Sequence, residues 1–187
     1  NEIVDVAAPV YPSSVTVDTF CHDFTFMSSN GLGWISGVAR LTKINPGKLT
    51  MLLPNDFTGG VDIQAGTVQV GDAIKSQFGA LGIGPITNNG TLTFSEPSSG
   101  DIKGILKGSG ALNVQDGQLY LWTNNTYSGL TTIYGSGSMY VGTGLAAGTL
   151  GTGNVVLQDA GSQLHFNIAN TNEYKGDITG DGALYID

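Results

Sequence analysis

The chain repeats itself at a spacing of about 70 residues. Segments of a first copy recur in the same order in a second copy, with an offset that stays between 69 and 72 residues. The matching pairs are residues 47–51 with 117–121, 55–59 with 125–129, 61–63 with 131–133, 66–71 with 137–142, 81–84 with 150–153, 92–94 with 164–166, and 104–112 with 176–184. A collinear repeat of this length is typical of a stacked array, in which each unit buries its apolar face against the next.

Composition narrows the function classes. Of the 187 residues, 40% are hydrophobic, which argues against a disordered chain. The 29 Gly residues do not recur at every third position, so the chain is not collagen-like. The chain has only 7 basic residues and 15 acidic ones, which gives a net charge of −8. Such a composition provides no basic patch that could bind nucleic acid. No apolar run reaches the 18 residues of a membrane span, and the single cysteine, Cys21, cannot form an internal disulfide.

Period-two alternation predicts strands along nearly the whole chain. Leu49 and Met51 flank Thr50, Val68 and Val70 flank Gln69, and many later runs of 3–7 residues follow the same pattern between Gly, Asn, Asp or Ser. One stretch, Ala73 to Phe78, is a candidate for a single helical turn; its counterpart, Gly144 to Gly148, is rich in Gly and Ala.

Two all-β architectures fit this pattern: an antiparallel sandwich or barrel, and a parallel β-solenoid. The repeat favours the solenoid, because one unit holds enough strand signals for about three coils of about 20–25 residues but too few for a self-sufficient sandwich. We therefore predict an all-β parallel β-helix with about three coils per repeat and about eight coils in all.

The repeated motifs resemble the autotransporter-associated β-strand repeat. Its succession of motifs is matched in the first copy by residues 49–51, 55–60 and 63–71, and in the second by 125–129, Ile133 and Val141-Gly142. The Gly-x-Gly-x-Leu element of that family resembles residues 108–112 and 180–184, and residues 12–17 are similar to a strand that precedes such arrays. The resemblance implies a right-handed parallel β-helix of a bacterial surface or secreted protein.

The predicted organisation is an extended N-terminal segment over 1–20, serving as an edge cap, followed by a β-helix over 21–187. The helix divides into copies at about 24–94 and 95–166 and a partial copy at 167–187. Residues 34–54 are bulkier than the family's usual Ser, Gly and Thr, which makes Trp34 a candidate surface contact.

Three patterns raise the question of chemistry. In residues 177–182 acidic residues precede Gly, as they do in a calcium loop. The equivalent residues of the earlier copy keep the Gly-x-Gly spacing but have no acids, so the spacing belongs to the strand repeat and we expect no metal site. Cys21 and His22 are neighbours on an extended segment and point to opposite faces, which predicts a buried Cys, two surface His residues (His22 and His165) and no nucleophile pair. Acids do not recur with basic partners across the copies, so we expect no enzyme and no cofactor.

Aromatic residues are concentrated around residues 120–140. Tyr120 and Trp122 alternate with Leu119 and Leu121, so both should project to solvent, where they form a candidate contact for a sugar or a protein. The favoured interpretation is an aromatic ladder that only shields a face of the solenoid.

The ends of a solenoid expose unpaired backbone. We expect either a piece of a longer passenger or subunits that stack head to tail, with Ile3, Val4 and Val6 at one end and Leu184, Tyr185 and Ile186 at the other. The sequence thus predicts a non-enzymatic structural stalk or fibre element, extracellular or on a bacterial cell surface, with no nucleic acid partner. The alternative is a β-helix that binds or degrades polysaccharide, with surface glycans as its partner.

Overall fold

The computed structural model describes residues 1–142, 144, 148–168 and 173–187. Within these ranges nearly all regular structure is strand, as the alternation predicted. The strands are β1 Glu2–Asp5, β2 Ser14–Asp18, β3 Phe24–Met27, β4 Arg40–Ile44, β5 Lys48–Met51, β6 Pro54–Asn55, β7 Val61–Ile63, β8 Thr67–Val70, β9 Ala80–Leu81, β10 Ile86–Asn88, β11 Thr91–Ile102, β12 Leu106–Lys107, β13 Ala111–Leu121, β14 Thr131–Ile133, β15 Ser138–Val141, β16 Val155–Leu157, β17 Gln163–Phe166, β18 Ile178–Gly180 and β19 Ala183–Ile186.

The longest ladder runs the length of the molecule and defines what we call face 1. It stacks nine strands in the order β1, β3, β5, β8, β11, β13, β14, β16 and β18, and each pair is parallel. This stack makes a solenoid of about eight turns. The predicted parallel β-solenoid is confirmed, whereas its right-handed sense and the three coils per repeat stay predictions.

Two further ladders complete the solenoid. Face 2 stacks residues 99–102 and 118–121 with β15, β17 and β19. Face 3 stacks β2, β4, β7, β10 and β12. Strands β11 and β13 belong to two faces, because each bends at a register irregularity between its first and second halves.

The two sequence copies do not lie above one another. Residues 48–51 and 67–70 of the first copy lie in face 1, whereas their counterparts, 118–121 and 138–141, lie in face 2. Residues 61–63 lie in face 3 and their counterparts 131–133 in face 1. The second copy is therefore shifted around the axis by one face.

The first 20 residues, expected to form an extended edge cap, contribute β1 and β2. These two strands pair in parallel with β3 and β4 and are the first rungs of faces 1 and 3. The segment therefore has the same ladder pairing as the coils that follow it.

The core consists of inward columns with one residue from each rung. On face 1 the alternation places Leu, Met, Val and Phe side chains inside, with exposures of 0–3% from β5 to β13. These residues are Leu49, Met51, Val68, Val70, Leu92, Phe94, Leu112 and Val114. Stacking one apolar side chain on the next removes both from water, which is the main stabilising term of such a fold.

The helical turn expected at Ala73 to Phe78 is a short 3-10 turn, Ala73–Lys75. Its counterpart, Gly144 to Gly148, lies largely outside the described residues. The described residues include no helix that is long and apolar enough to cross a membrane.

Candidate functional site

A buried lysine lies at the corner where the chain passes from face 3 to face 1. Lys43 lies on the inward side of β4 with 0% exposure, between Val17 and Ile63 of the neighbouring rungs. Its Nζ donates to the carbonyl oxygens of Ile44, Asn45 and Ala65 at 3.0, 2.6 and 3.3 Å. The Ile44 carbonyl also accepts the Thr19 amide at 3.3 Å, so the ammonium group matters most for the turn carbonyls of Asn45 and Ala65, which belong to two successive coils.

The backbone of this corner packs closely around the Lys43 side chain. Asn45 has a left-handed backbone with φ of 65°, and its side chain donates to Asp18 at 2.7 Å. A Cβ on Gly66 would lie 2.4–2.8 Å from two corner carbonyls and from Nζ of Lys43, so the close approach requires glycine. Burial lowers the pKa of Lys43, and the charges of Asp18 and Asp23 oppose that shift.

Two buried asparagines occupy equivalent positions in the two copies. Oδ1 of Asn55 accepts the Ile35 amide at 2.8 Å, and its Nδ2 donates to the Ala80 carbonyl at 2.9 Å. Oδ1 of Asn125 accepts the Leu106 amide at 2.8 Å, and its Nδ2 donates to the Thr149 carbonyl at 3.0 Å. Each asparagine therefore links the coil before it to the coil after it, where regular strand pairing is short.

The sequence-predicted aromatic residues form a continuous stack on the outside of face 2. Tyr120, Tyr140, His165 and Tyr185 lie on successive rungs with ring centroids 4.8, 4.3 and 4.4 Å apart and nearly parallel planes. Trp122 lies beside Tyr120 at 6.0 Å with a 31° tilt and remains 42% exposed. Rings inside the stack contact each other through their faces, so they present mainly their edges to solvent.

The polar atoms of Tyr120, Trp122 and His165 have partners within the chain. Nε1 of Trp122 donates to Asp101 at 2.7 Å, and the Tyr120 hydroxyl donates to Gln118 at 2.9 Å. The two ring nitrogens of His165 lie 2.9 Å from Asp187 Oδ2 and 3.2 Å from Gln163 Oε1. The His165 side chain is therefore only 12% exposed. Its ring points outward, as predicted, but its neighbours cover most of it.

Breaking the aromatic stack at its middle is expected to weaken the second half of the solenoid. Tyr140→Ser removes two stacked ring contacts and should lower the free energy of unfolding by about 1–2 kcal/mol. Chemical denaturation of the variant measures this loss. Tyr11→Ser, at a tyrosine that is 70% exposed, serves as the control and should change stability by less than about 0.5 kcal/mol. Equal effects at both positions would show that the stack adds no stability.

The other predicted chemical residues do not converge. Cys21 is exposed, so the prediction of a buried cysteine is wrong; it lies in the corner after β2, outside the inward columns. His22 is exposed, with Nδ1 at 3.7 Å from Glu2. Within the calcium-like segment, Gly180 pairs with Leu157 in the face 1 ladder. The described residues contain no group of three or more His, Cys, Asp or Glu side chains that could hold a metal.

The residues expected at the two ends lie on the outermost rungs. β1 pairs only with β3 and β19 only with β17 among the described strands. Ile3, Leu184, Tyr185 and Ile186 are 65%, 48%, 41% and 77% exposed, while Val4 and Val6 are less accessible. Trp34, the remaining candidate contact, is half-buried, and its carbonyl accepts the Val10 amide at 2.9 Å.

Sequence reasoning missed Lys43 and a second buried charged residue, Glu96, which is 2% exposed. The position of Lys43 could have been read from alternation, because Leu41 and Lys43 occupy the same side of β4. Glu96 lies in the bend of β11, between Ser95 and Ser99, which the sequence pattern did not reveal.

Residues 41–70 match the family model of the passenger-associated-transport-repeat. The matched segment runs from β4 through β8 and includes both Lys43 and Asn55. Comparisons with curated proteins and with solved structures gave no match. The repeat and the parallel ladders agree with the resemblance noted in the sequence. The chain is therefore a β-solenoid in which residues 41–70 are similar to the passenger-associated-transport-repeat, which is consistent with an autotransporter passenger repeat.

Proposed function

We propose that this chain is a non-enzymatic structural β-solenoid, a stalk or fibre element exposed outside a bacterial cell. The observation that carries the proposal is the nine-strand ladder of face 1, whose inward side chains are 0–3% exposed from β5 to β16. Backbone hydrogen bonds along the axis and stacked apolar side chains resist bending, so the function is mechanical. At about 4.8 Å for each turn, the rod is about 40 Å long.

The outermost rungs are where such an element would be extended. The edges of β1 and β19 carry backbone groups without a strand partner among the described residues, next to the exposed Ile3 and Ile186. Apolar grooves lie at both ends, one lined by Val4, Val17 and Phe26 and the other by Phe166 and Ile186 among others. Pairing with a further rung, from a second copy or from a longer passenger chain, would satisfy both the backbone and the apolar surface.

The test is electron microscopy of the purified 187-residue chain together with its intact mass and its mass in solution. Head-to-tail stacking predicts filaments with an axial repeat of about 40 Å. Ile186→Asp should shorten or abolish the filaments, because it places a charge on the outermost rung, whereas Ile105→Asp, at a 47% exposed position on the side of the rod, should not. Monomeric rods would refute stacking while remaining compatible with a passenger element, and compact globules would refute the stalk itself.

A second candidate function is carbohydrate binding, favoured by the exposed Trp122 and its hydrogen bond to Asp101. An aromatic ring beside a carboxylate is a common way to hold a sugar, although most ring faces of the neighbouring stack contact one another. Affinity electrophoresis in gels that contain bacterial polysaccharides tests this alternative. Retardation that Trp122→Ala abolishes and Tyr11→Ala retains would support it, and unchanged mobility in every gel would contradict it.

A further inference from the structure

Between β8 and β9 the chain leaves the solenoid and returns as a small projecting turn, residues 72–79. The turn has its own internal bonds: the Asp72 carboxylate accepts the Lys75 amide at 3.2 Å, and the Asp72 and Gln77 backbones form an antiparallel bridge. Ile74 and Phe78 project from it with exposures of 94% and 55%. The turn is therefore built as a unit that can move without losing its own structure.

Two hydrogen bonds attach the inside of this turn to the solenoid, and both reach consecutive residues of β11. The Ala73 amide donates to Oγ of Ser95 at 3.4 Å, and the Gly79 amide donates to Oε1 of Glu96 at 3.0 Å. The bonds of Gly71 to Met51 and of Ala80 to Leu53 hold only its two ends. Glu96 therefore provides the shorter of the two attachments.

The Glu96 carboxyl group is enclosed beneath the turn. Its side chain is 2% exposed, and Oε2 has no hydrogen-bond partner among the described residues. A Cβ on Gly71 would lie 2.7 Å from Oε1, so a glycine at the first end of the turn makes room for the carboxyl group. Burying a carboxylate with one oxygen unpaired is far more costly than burying the neutral acid.

The charged groups on the surrounding elements give Glu96 no cationic partner. Asp72 and Lys75 on the turn pair with each other at 2.8 Å, and Lys48 on β5 bonds to Gln69. Asp116 on β13 pairs in register with Ser95. Burial accordingly raises the pKa of Glu96 to about 7, with the Gly79 amide opposing the shift, while Lys75 lowers the pKa of Asp72.

We propose that Glu96 is a pH-sensitive latch, whose neutral carboxyl group holds the 72–79 turn against the solenoid and whose ionisation releases it. The released turn lets water reach the carboxylate, and it frees the Ile74 and Phe78 side chains to move away from the rod. The device does not depend on the proposed stalk function, because it needs only the turn and β11.

Linkage gives the size and direction of the effect. The docked state binds more protons than the released state between pH 4.5, the ordinary pKa of a glutamate, and about 7. Docking therefore weakens as the pH rises through this window and levels off above it. With these two pKa values, the ratio of released to docked turn should grow about 30-fold between pH 5.5 and pH 8.5.

Amide hydrogen exchange of the whole chain measures this ratio. After correction for the chemical exchange rate at each pH, the amides of Ala73 and Gly79 should lose about 30-fold in protection between pH 5.5 and pH 8.5. The amides of β8 and of the turn at residues 134–137 should not change. Glu96→Gln keeps the acceptor but cannot ionise, so its protection should be independent of pH.

Ser95→Ala provides a second variant if Glu96→Gln folds poorly. It removes the other attachment, so protection should fall at every pH while the 30-fold dependence remains. Flat protection in the wild-type chain would overturn the latch, as would a dependence that Glu96→Gln retains. A parallel loss of protection in β8 and β11 would also overturn it, because it would indicate global destabilisation instead of local release.

Discussion

Asn55→Leu is expected to lower the free energy of unfolding by about 2–4 kcal/mol. Leucine fills nearly the same volume, but it leaves the Ile35 amide and the Ala80 carbonyl without the partners that Asn55 provides. Both groups belong to short bridges of neighbouring coils, so the loss falls where the backbone has few other bonds. Urea denaturation followed by circular dichroism gives the change in stability.

The second copy supplies a matched experiment. Asn125→Leu removes the equivalent bonds to Leu106 and Thr149 and should cost a similar amount. Because the two sites lie on different coils, the double variant should lose the sum of the two single losses. Asn124→Ala, at the exposed neighbouring asparagine, whose side chain has no hydrogen bond among the described residues, should cost less than about 0.5 kcal/mol. If the buried and exposed substitutions cost the same, the asparagines do not link the coils.

The equivalence of Asn55 and Asn125 also shows what the sequence could predict. The repeat aligned these two residues from the motif alone, and the structure gives them the same acceptor and donor roles. Alternation likewise identified the inward columns, because the side-chain period of a strand does not depend on the rest of the fold.

The positions of the two copies around the solenoid axis could not be predicted from the repeat or from the alternation. Strands β11 and β13 each continue through a bend, so the chain gains one face between the first copy and the second. Repeat periodicity fixes which residues are equivalent but carries no information on where the chain turns. The Glu96 latch depends on the same bend, since the irregular pairing of β11 lies between Phe94 and Ser99.

The aromatic surface was predicted in part. Tyr120 and Trp122 project outward, as the alternation with Leu119 and Leu121 indicated. Their stacking on Tyr140, His165 and Tyr185 required the register, because residues become neighbours across rungs only when the strand pairing is known. Whether these side chains contact a ligand stays a prediction.

Lys43→Met is the second substitution with a large expected effect. Methionine keeps most of the side-chain length but removes three hydrogen bonds to the carbonyls of Ile44, Asn45 and Ala65. Ile44 keeps the Thr19 amide as a donor at 3.3 Å, but the Asn45 and Ala65 carbonyls lose the donor that Lys43 provides. Charge-assisted hydrogen bonds are stronger than neutral ones, so the loss should be about 2–4 kcal/mol. Lys48→Met, on the adjacent strand, loses one bond of 3.4 Å and should cost less than about 0.5 kcal/mol.

Protonation separates the role of Lys43 from simple packing. Because burial lowers the pKa of its amine, the unfolded chain binds this proton more readily than the folded chain over the pH range between the lowered value and 10.5. The wild-type chain should therefore gain stability as the pH rises through that range, and Lys43→Met should lack this gain. Denaturation midpoints of the two proteins, compared across alkaline pH, measure it.

Reactivity of the amine provides an independent check on the same site. Reductive methylation of the folded chain should modify Lys75 and Lys175, whose side chains are 68% and 76% exposed, and leave Lys43 unmodified until the chain unfolds. Mass spectrometry of the digested protein resolves the three positions. Rapid modification of Lys43 in the folded state would mean that the corner opens to solvent, in which case the carbonyl bonds could not supply the predicted stability.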